Sequence, residues 1–184
     1  MANNFYPSEF TTENTKFSGP LAIVSWSGER DGEHAMEGRG RIVFASGAIY
    51  EGSVKKDMLH GEGTLTDPVT DSVYCGSWVE DRREGQATFT HPFGTYTGGY
   101  KNNKRHGKGV ETSNALGEPA NITVTTTGNW ADGELVKGKA VYADGSIYQG
   151  EFKDDGRHGL GKLITADGDC LEGEFEDDEF KGSA

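Results

Sequence analysis

The sequence is poor in most of what builds a compact core or a reactive centre. Leu, Ile, Val and Phe together number 33 of 184 residues, about 18%, a share that with high net charge ordinarily marks disorder. Cysteine occurs only as Cys75 and Cys170, without a C-x-x-C pair, so neither a zinc site nor a disulfide framework is indicated. No run approaches the ~18 apolar residues of a membrane-spanning helix, and Met1 to Lys16 lacks the apolar stretch of a secretory signal, which leads to the expectation of a soluble, cytoplasmic protein. Basic residues are the minority: 18 Lys and Arg stand against 30 Asp and Glu, a net charge of −12 that repels nucleic-acid phosphate and anionic headgroups. Nucleic acid is not an expected partner. The length fits one domain or one short repeat array.

Glycine is what the chain has instead, 28 residues of it, and it is placed rather than scattered. Anchor glycines fall at Gly28, Gly52, Gly76, Gly98, Gly128, Gly150 and Gly173, with spacings of 24, 24, 22, 30, 22 and 23 residues. A second glycine follows each anchor by nine or ten residues, at Gly38, Gly61, Gly85, Gly107, Gly138, Gly159 and Gly182. Two residues later comes another small residue: Gly40, Gly63, Ala87, Gly109, Ala140, Gly161 or Ala184. A fixed period of this length marks a repeat architecture.

Large residues flank the anchors at period two, as in Tyr74, Gly76, Trp78 and in Tyr148, Gly150, Phe152. Alternation predicts strands. Between the two arms of each unit stand turn formers: Asp57, Asp81, Asn102-Asn103, Asp132-Gly133, Asp155-Gly156 and Asp177-Asp178. Further turns, Ser46-Gly47, Asp144-Gly145 and Asp167-Gly168, join the units, so the fold class is all-β: an elongated, single-layer antiparallel meander of about seven hairpins. Such a sheet has no second layer to cover its apolar face. A missing Cβ in each strand opens a slot in which a ring from a neighbouring unit can lie. Residues 1–16 read as a flexible arm and 17–184 as the array, with an enlarged, turn-rich loop at 111–127. The last unit stops half formed, which predicts an open sheet edge, and such an edge leaves room for an oligomer.

Tyr50-Glu51-Gly52 with His60-Gly61-Glu62-Gly63, Tyr96-Thr97-Gly98 with His106-Gly107-Lys108-Gly109, and Tyr148-Gln149-Gly150 with His158-Gly159-Leu160-Gly161 resemble MORN repeats (membrane occupation and recognition nexus). Three units depart from the pattern: Arg30 follows Gly28 where an aromatic belongs, Thr126 replaces the first tyrosine before Gly128, and Arg83-Glu84-Gly85 lacks the histidine. The resemblance implies an array of MORN hairpins. It also implies a non-enzymatic scaffold or adaptor, since stand-alone MORN proteins occur in cytoskeletal assemblies, notably radial spokes and other parts of ciliary axonemes. The alternative it implies is peripheral membrane attachment through phospholipid, which the net charge opposes. Among the basic residues only Lys101, Lys104, Arg105 and Lys108 cluster along the sequence.

Catalytic signals do not assemble. Gly133 to Lys139 and Gly156 to Lys162 both match G-x-x-x-x-G-K, but Ala140 and Leu163 occupy the Ser or Thr position and no helix is predicted to follow. His60 and His106 lie two units apart, ~19 Å on a sheet, too far to share a metal. Asp167-Gly168-Asp169 fails the calcium-loop pattern. No catalytic residue, metal ligand or cofactor is assigned, and the protein is not expected to be an enzyme. The candidate protein-binding residues are the rings Tyr50, Trp78, Tyr100, Trp130, Phe152 and Phe175, expected to line a continuous apolar track for a segment of a cytoskeletal or axonemal partner.

Overall fold

The computed structural model describes residues 21–114 and 123–183. They form seven successive hairpins: β1 (Ile23–Arg30) with β2 (Met36–Phe44), β3 (Ile49–Lys55) with β4 (Met58–Asp67), β5 (Ser72–Val79) with β6 (Arg82–His91), β7 (Gly94–Lys101) with β8 (Lys104–Asn114), β9 (Thr123–Ala131) with β10 (Glu134–Val141), β11 (Ile147–Lys153) with β12 (Gly156–Ile164), and β13 (Cys170–Glu176) with β14 (Glu179–Gly182). All fourteen strands belong to one sheet in sequence order, each antiparallel to its neighbours. At about 4.8 Å per strand, thirteen steps give a ribbon roughly 60 Å long.

The turns set the register. Lys56-Asp57, Glu80-Asp81, Asn102-Asn103, Asp154-Asp155 and Asp177-Asp178 all have positive φ at both positions, between 48° and 68°. This is the two-residue type I′ turn whose twist matches that of paired strands. The sixth hairpin therefore turns on Asp154-Asp155, one residue earlier than the expected Asp155-Gly156, and Gly156 opens β12. Such turns place the glycines in one line. Gly28, Gly40, Gly52, Gly63, Gly76, Ala87, Gly98, Gly109, Gly128, Gly138, Gly150, Gly161 and Gly173 each stand directly opposite the next, across thirteen strands.

The second glycine of each unit has a different task from the row glycines. Gly38, Gly61, Gly85, Gly107 and Gly159 sit in β-bulges with φ between 58° and 76°, a left-handed conformation that a side chain would strain. In the second hairpin Ser53 alone faces His60, Gly61 and Glu62. The fifth hairpin departs from the expected alignment because its bulge carries one extra residue, Val136, instead of two. Gly138 therefore enters the row itself, and Ala140 stands opposite Tyr148. The seventh uses the same shorter bulge, with Lys181 as the extra residue.

The ladder between β8 and β9 continues through Glu111 and Thr126 to Asn114 and Thr123. The enlarged loop expected at 111–127 is thus strand at both borders, as its β-branched run Thr123-Val124-Thr125-Thr126-Thr127 favours. Its centre, 115–122, and the arm at 1–16 lie outside the described residues.

Candidate functional site

One face of the sheet carries the rings. In a strand, residues two apart share a face, so Tyr50, Tyr96 and Tyr148 each lean along their own strand over their own anchor glycine. Tyr50 covers Gly52 and the Gly63 opposite it, Tyr96 covers Gly98 and Gly109, and Tyr148 covers Gly150 and Gly161. The slot is therefore filled from within the hairpin, which corrects the expectation of a ring from the neighbouring unit. The hydroxyls donate to the carbonyl three residues on, Tyr50 to Ser53 (2.7 Å), Tyr74 to Ser77 (3.0 Å), Tyr96 to Gly99 (3.1 Å) and Tyr148 to Glu151 (3.0 Å). Those acceptors are the residues facing each bulge, where the ladder leaves a carbonyl unpaired.

The next unit's ring then meets the tyrosine edge to face. Tyr50 meets Trp78 at 5.7 Å, Tyr74 meets Tyr100 at 5.3 Å, Tyr96 meets Trp130 at 5.2 Å and Tyr148 meets Phe175 at 5.1 Å. Within a unit Tyr74 also meets Trp78, Tyr96 meets Tyr100 and Tyr148 meets Phe152. Such pairs contribute about 0.5–1.5 kcal/mol each beyond area burial. The Trp78 indole donates to the Gly63 carbonyl at 3.3 Å, whereas the Trp130 Nε1 has no hydrogen-bond partner.

The expected track differs in two respects. Trp130 and Phe152 have no ring between them, because the row that supplies tyrosines elsewhere runs Tyr96, Glu111, Thr126, Ala140, Tyr148 at this point. The six candidate rings are also buried, with relative exposures of 0% for Tyr50, 1% for Trp78 and Phe175, 2% for Trp130, 6% for Tyr100 and 8% for Phe152. They form the core of a one-layer protein. Burial accordingly pushes the hydroxyls of Tyr96, Tyr100 and Tyr148 up to about 12, and raises Tyr50 and Tyr74 as well.

Arginines close the ring face. The Arg83 guanidinium lies over Tyr74 and Tyr100 at 5.6 and 5.4 Å, and Arg105 over Tyr96 and Trp130 at 5.6 and 6.0 Å. Arg105 pairs with Glu111 at 2.7 Å. Four of the turns are also tied to the unit before them: Asp57 Oδ1 accepts the Met36 amide (2.7 Å), Asp81 the Leu59 amide (2.7 Å), Asn103 the Arg83 amide (2.8 Å) and Asp178 the Arg157 amide (2.9 Å). The return bonds, such as Asp81 N to Leu59 O at 3.0 Å, make each clamp two-sided.

The opposite face is polar and has no second layer among the described residues. Its central row runs Ser27, Arg41, Glu51, Thr64, Cys75, Thr88, Thr97, Val110, Thr127, Lys139, Gln149, Lys162, Glu172, each opposite the next. From β9 to β13 this face is hollowed into a groove of about 860 Å³, with glycine-row backbone as its floor and Lys137, Lys139, Lys162 and Leu160 among its walls. Sequence reasoning missed these lysines, which are separated along the chain and meet only through register. The sequence cluster Lys101 to Lys108, by contrast, is divided: Arg105 is buried on the ring face while Lys101, Lys104 and Lys108 remain exposed. Cys75 and Cys170 are exposed and eight strands apart. His60, His106 and His158 are half-buried at the bulges, on β4, β8 and β12.

The family model for the MORN repeat matches residues 50–71, 74–94, 96–114, 127–147 and 148–170, more than half of the chain. The hairpins β1–β2 and, from residue 171 on, β13–β14 lie outside those segments and continue the same sheet. Rat alsin (Rattus norvegicus) is 30% identical over 130 residues, covering 66% of this chain and 8% of alsin. Human alsin (Homo sapiens) is 34% identical over 61 residues, covering 31% of this chain and 4% of alsin. The chain thus spans less than a tenth of the length of these relatives. With five matched repeats laid on a register that keeps the small-residue row unbroken, the chain belongs to the MORN repeat family, a family of non-enzymatic repeats.

Proposed function

We propose that the protein is a non-enzymatic scaffold that holds a segment of another protein along its extended sheet. The observation that carries this reading is the open polar face: one layer, roughly 60 Å long, uncovered among the described residues while the rings are spent on the other side. Elongated repeat arrays offer surfaces of this kind to extended partners. The resemblance to stand-alone MORN proteins favours a cytoplasmic, cytoskeletal or axonemal partner of the radial-spoke kind. Self-association through the edges β1 and β14 is a further part of the proposal, and β14, four residues long with Glu179 and Lys181, is the weaker edge for it. Phospholipid attachment is the competing reading, and a charge of −12 works against it.

Cross-linking mass spectrometry on the native assembly tests the proposal. The expected result is one partner segment linked to polar-face lysines of several successive units. Recovery of the protein with lipid and without any cross-linked protein would overturn it.

A further inference from the structure

Lysines far apart in sequence meet on the polar face at one end of the sheet. Lys108 of β8 lies opposite Asn129, which lies opposite Lys137 of β10. Lys139 of β10 lies opposite Gln149, which lies opposite Lys162 of β12. Each of these two pairs is thus two strands apart, about 9.5 Å, while Lys137 and Lys139 are two residues apart on one strand, about 7 Å. These spacings are comparable to the screening length at physiological salt, about 8 Å, so the four ammonium groups act on a ligand as one positive field. In a chain with 12 excess negative charges this concentration is local and strong.

The charges are also available. Among the described residues Lys137, Lys139 and Lys108 have no ion-pair partner, and only Lys162 is engaged, with Glu172 at 3.0 Å. Glu151 stands across from Lys137, but its carboxylate turns the other way, over Gly159. Lys139 has Thr127 and Gln149 on its two sides and no acid opposite. The groove that Lys137, Lys139 and Lys162 wall, with Lys108 beyond its rim, runs across five strands, roughly 19 Å, the length of about six extended residues. Leu160, 57% exposed, gives it one apolar contact.

We infer that this groove binds an extended acidic peptide segment of the partner protein, its carboxylates on Lys137 and Lys139 and an apolar side chain against Leu160. The inference rests on the scaffold reading and specifies the chemistry of the segment held. A bilayer surface fits the site less well, because the groove is recessed between two rows of side chains over a glycine floor, which a single extended strand can enter and a flat headgroup layer cannot.

Fluorescence anisotropy on the full chain tests it, with a labelled decapeptide of alternating Glu and Leu as probe and a Lys/Leu decapeptide as control. Saturable binding of the acidic probe that weakens with salt is expected, together with a loss of about tenfold or more in Lys137→Ser/Lys139→Ser and little change in Lys101→Ser/Lys104→Ser. Lys137→Gln/Lys139→Gln, which removes the charge but keeps a longer polar side chain than serine, should lose binding equally and guards against a folding defect, with the melting temperature of each variant recorded. Absence of saturable binding, equal binding of the Lys/Leu peptide, or affinity unchanged in both Lys137/Lys139 double variants would overturn the inference. So would Lys137- and Lys139-dependent binding to phosphatidylcholine vesicles carrying phosphatidylinositol bisphosphate without peptide binding. If the native partner cross-links along other units while the acidic probe fails, the groove assignment falls and the scaffold reading stands.

Discussion

The ring of Tyr50 occupies the space where a Cβ on Gly63 would have to stand, and its hydroxyl is held there by donating to the Ser53 carbonyl at 2.7 Å. Glycine here is a packing requirement and not a loosening of the strand. Gly63→Ala should therefore destabilise by about 1–3 kcal/mol, the usual cost of overpacking, whereas Gly32→Ala, whose Cβ would meet nothing within 4 Å, should be near neutral. Urea denaturation of the two variants checks the contrast. The same tyrosines make a pH prediction. Their folded-state values are raised by burial, to about 12 for Tyr96, Tyr100 and Tyr148, above the ordinary value of 10.0. The unfolded chain thus loses these protons first, and the stability they contribute is complete below about pH 10 and is lost as pH rises toward 12. A melting temperature that is level through neutral pH and drops across that window, with tyrosinate absorbance rising only on unfolding, is the expected record.

Hairpins are linked by their turns as well as by their strands. Asp81 accepts the Leu59 amide of the preceding unit and its own amide returns a bond to the Leu59 carbonyl. Asp81→Ala leaves that Leu59 donor without its partner and should cost about 1–3 kcal/mol. Asp81→Asn should keep nearly full stability, since Asn103 performs the same task toward Arg83; thermal melts of the pair decide it. Much of this element was legible in advance, because period-two alternation, turn residues and glycine spacing are local signals. What escaped was non-local. The shorter bulge at Val136 shows only when β9 is laid against β10, so Gly138 was aligned with the bulge glycines although it belongs to the row. Lys56 and Glu80, ordinary residues in left-handed turn positions, carry no sequence signature of that role. The assembly of Lys108, Lys137, Lys139 and Lys162 likewise depends on cross-strand register and not on proximity in the chain.

Across the sheet each strand pairs only with its sequence neighbours, so stability is a sum of hairpins and their interfaces. A one-layer sheet of this kind must build its core from one face and has only the other face and the edges to offer. The six rings named from the sequence hold the sheet together, and the scaffold reading assigns partner binding to the face behind them. Trp78→Ala and Tyr100→Ala measure this most directly when melting temperature and capture of the native partner are recorded together. Loss of a buried ring should cost about 3–5 kcal/mol, with a lowered melting temperature and capture per folded molecule unchanged well below the melt. Capture lost at an unchanged melting temperature would contradict the account and return the binding site to the rings.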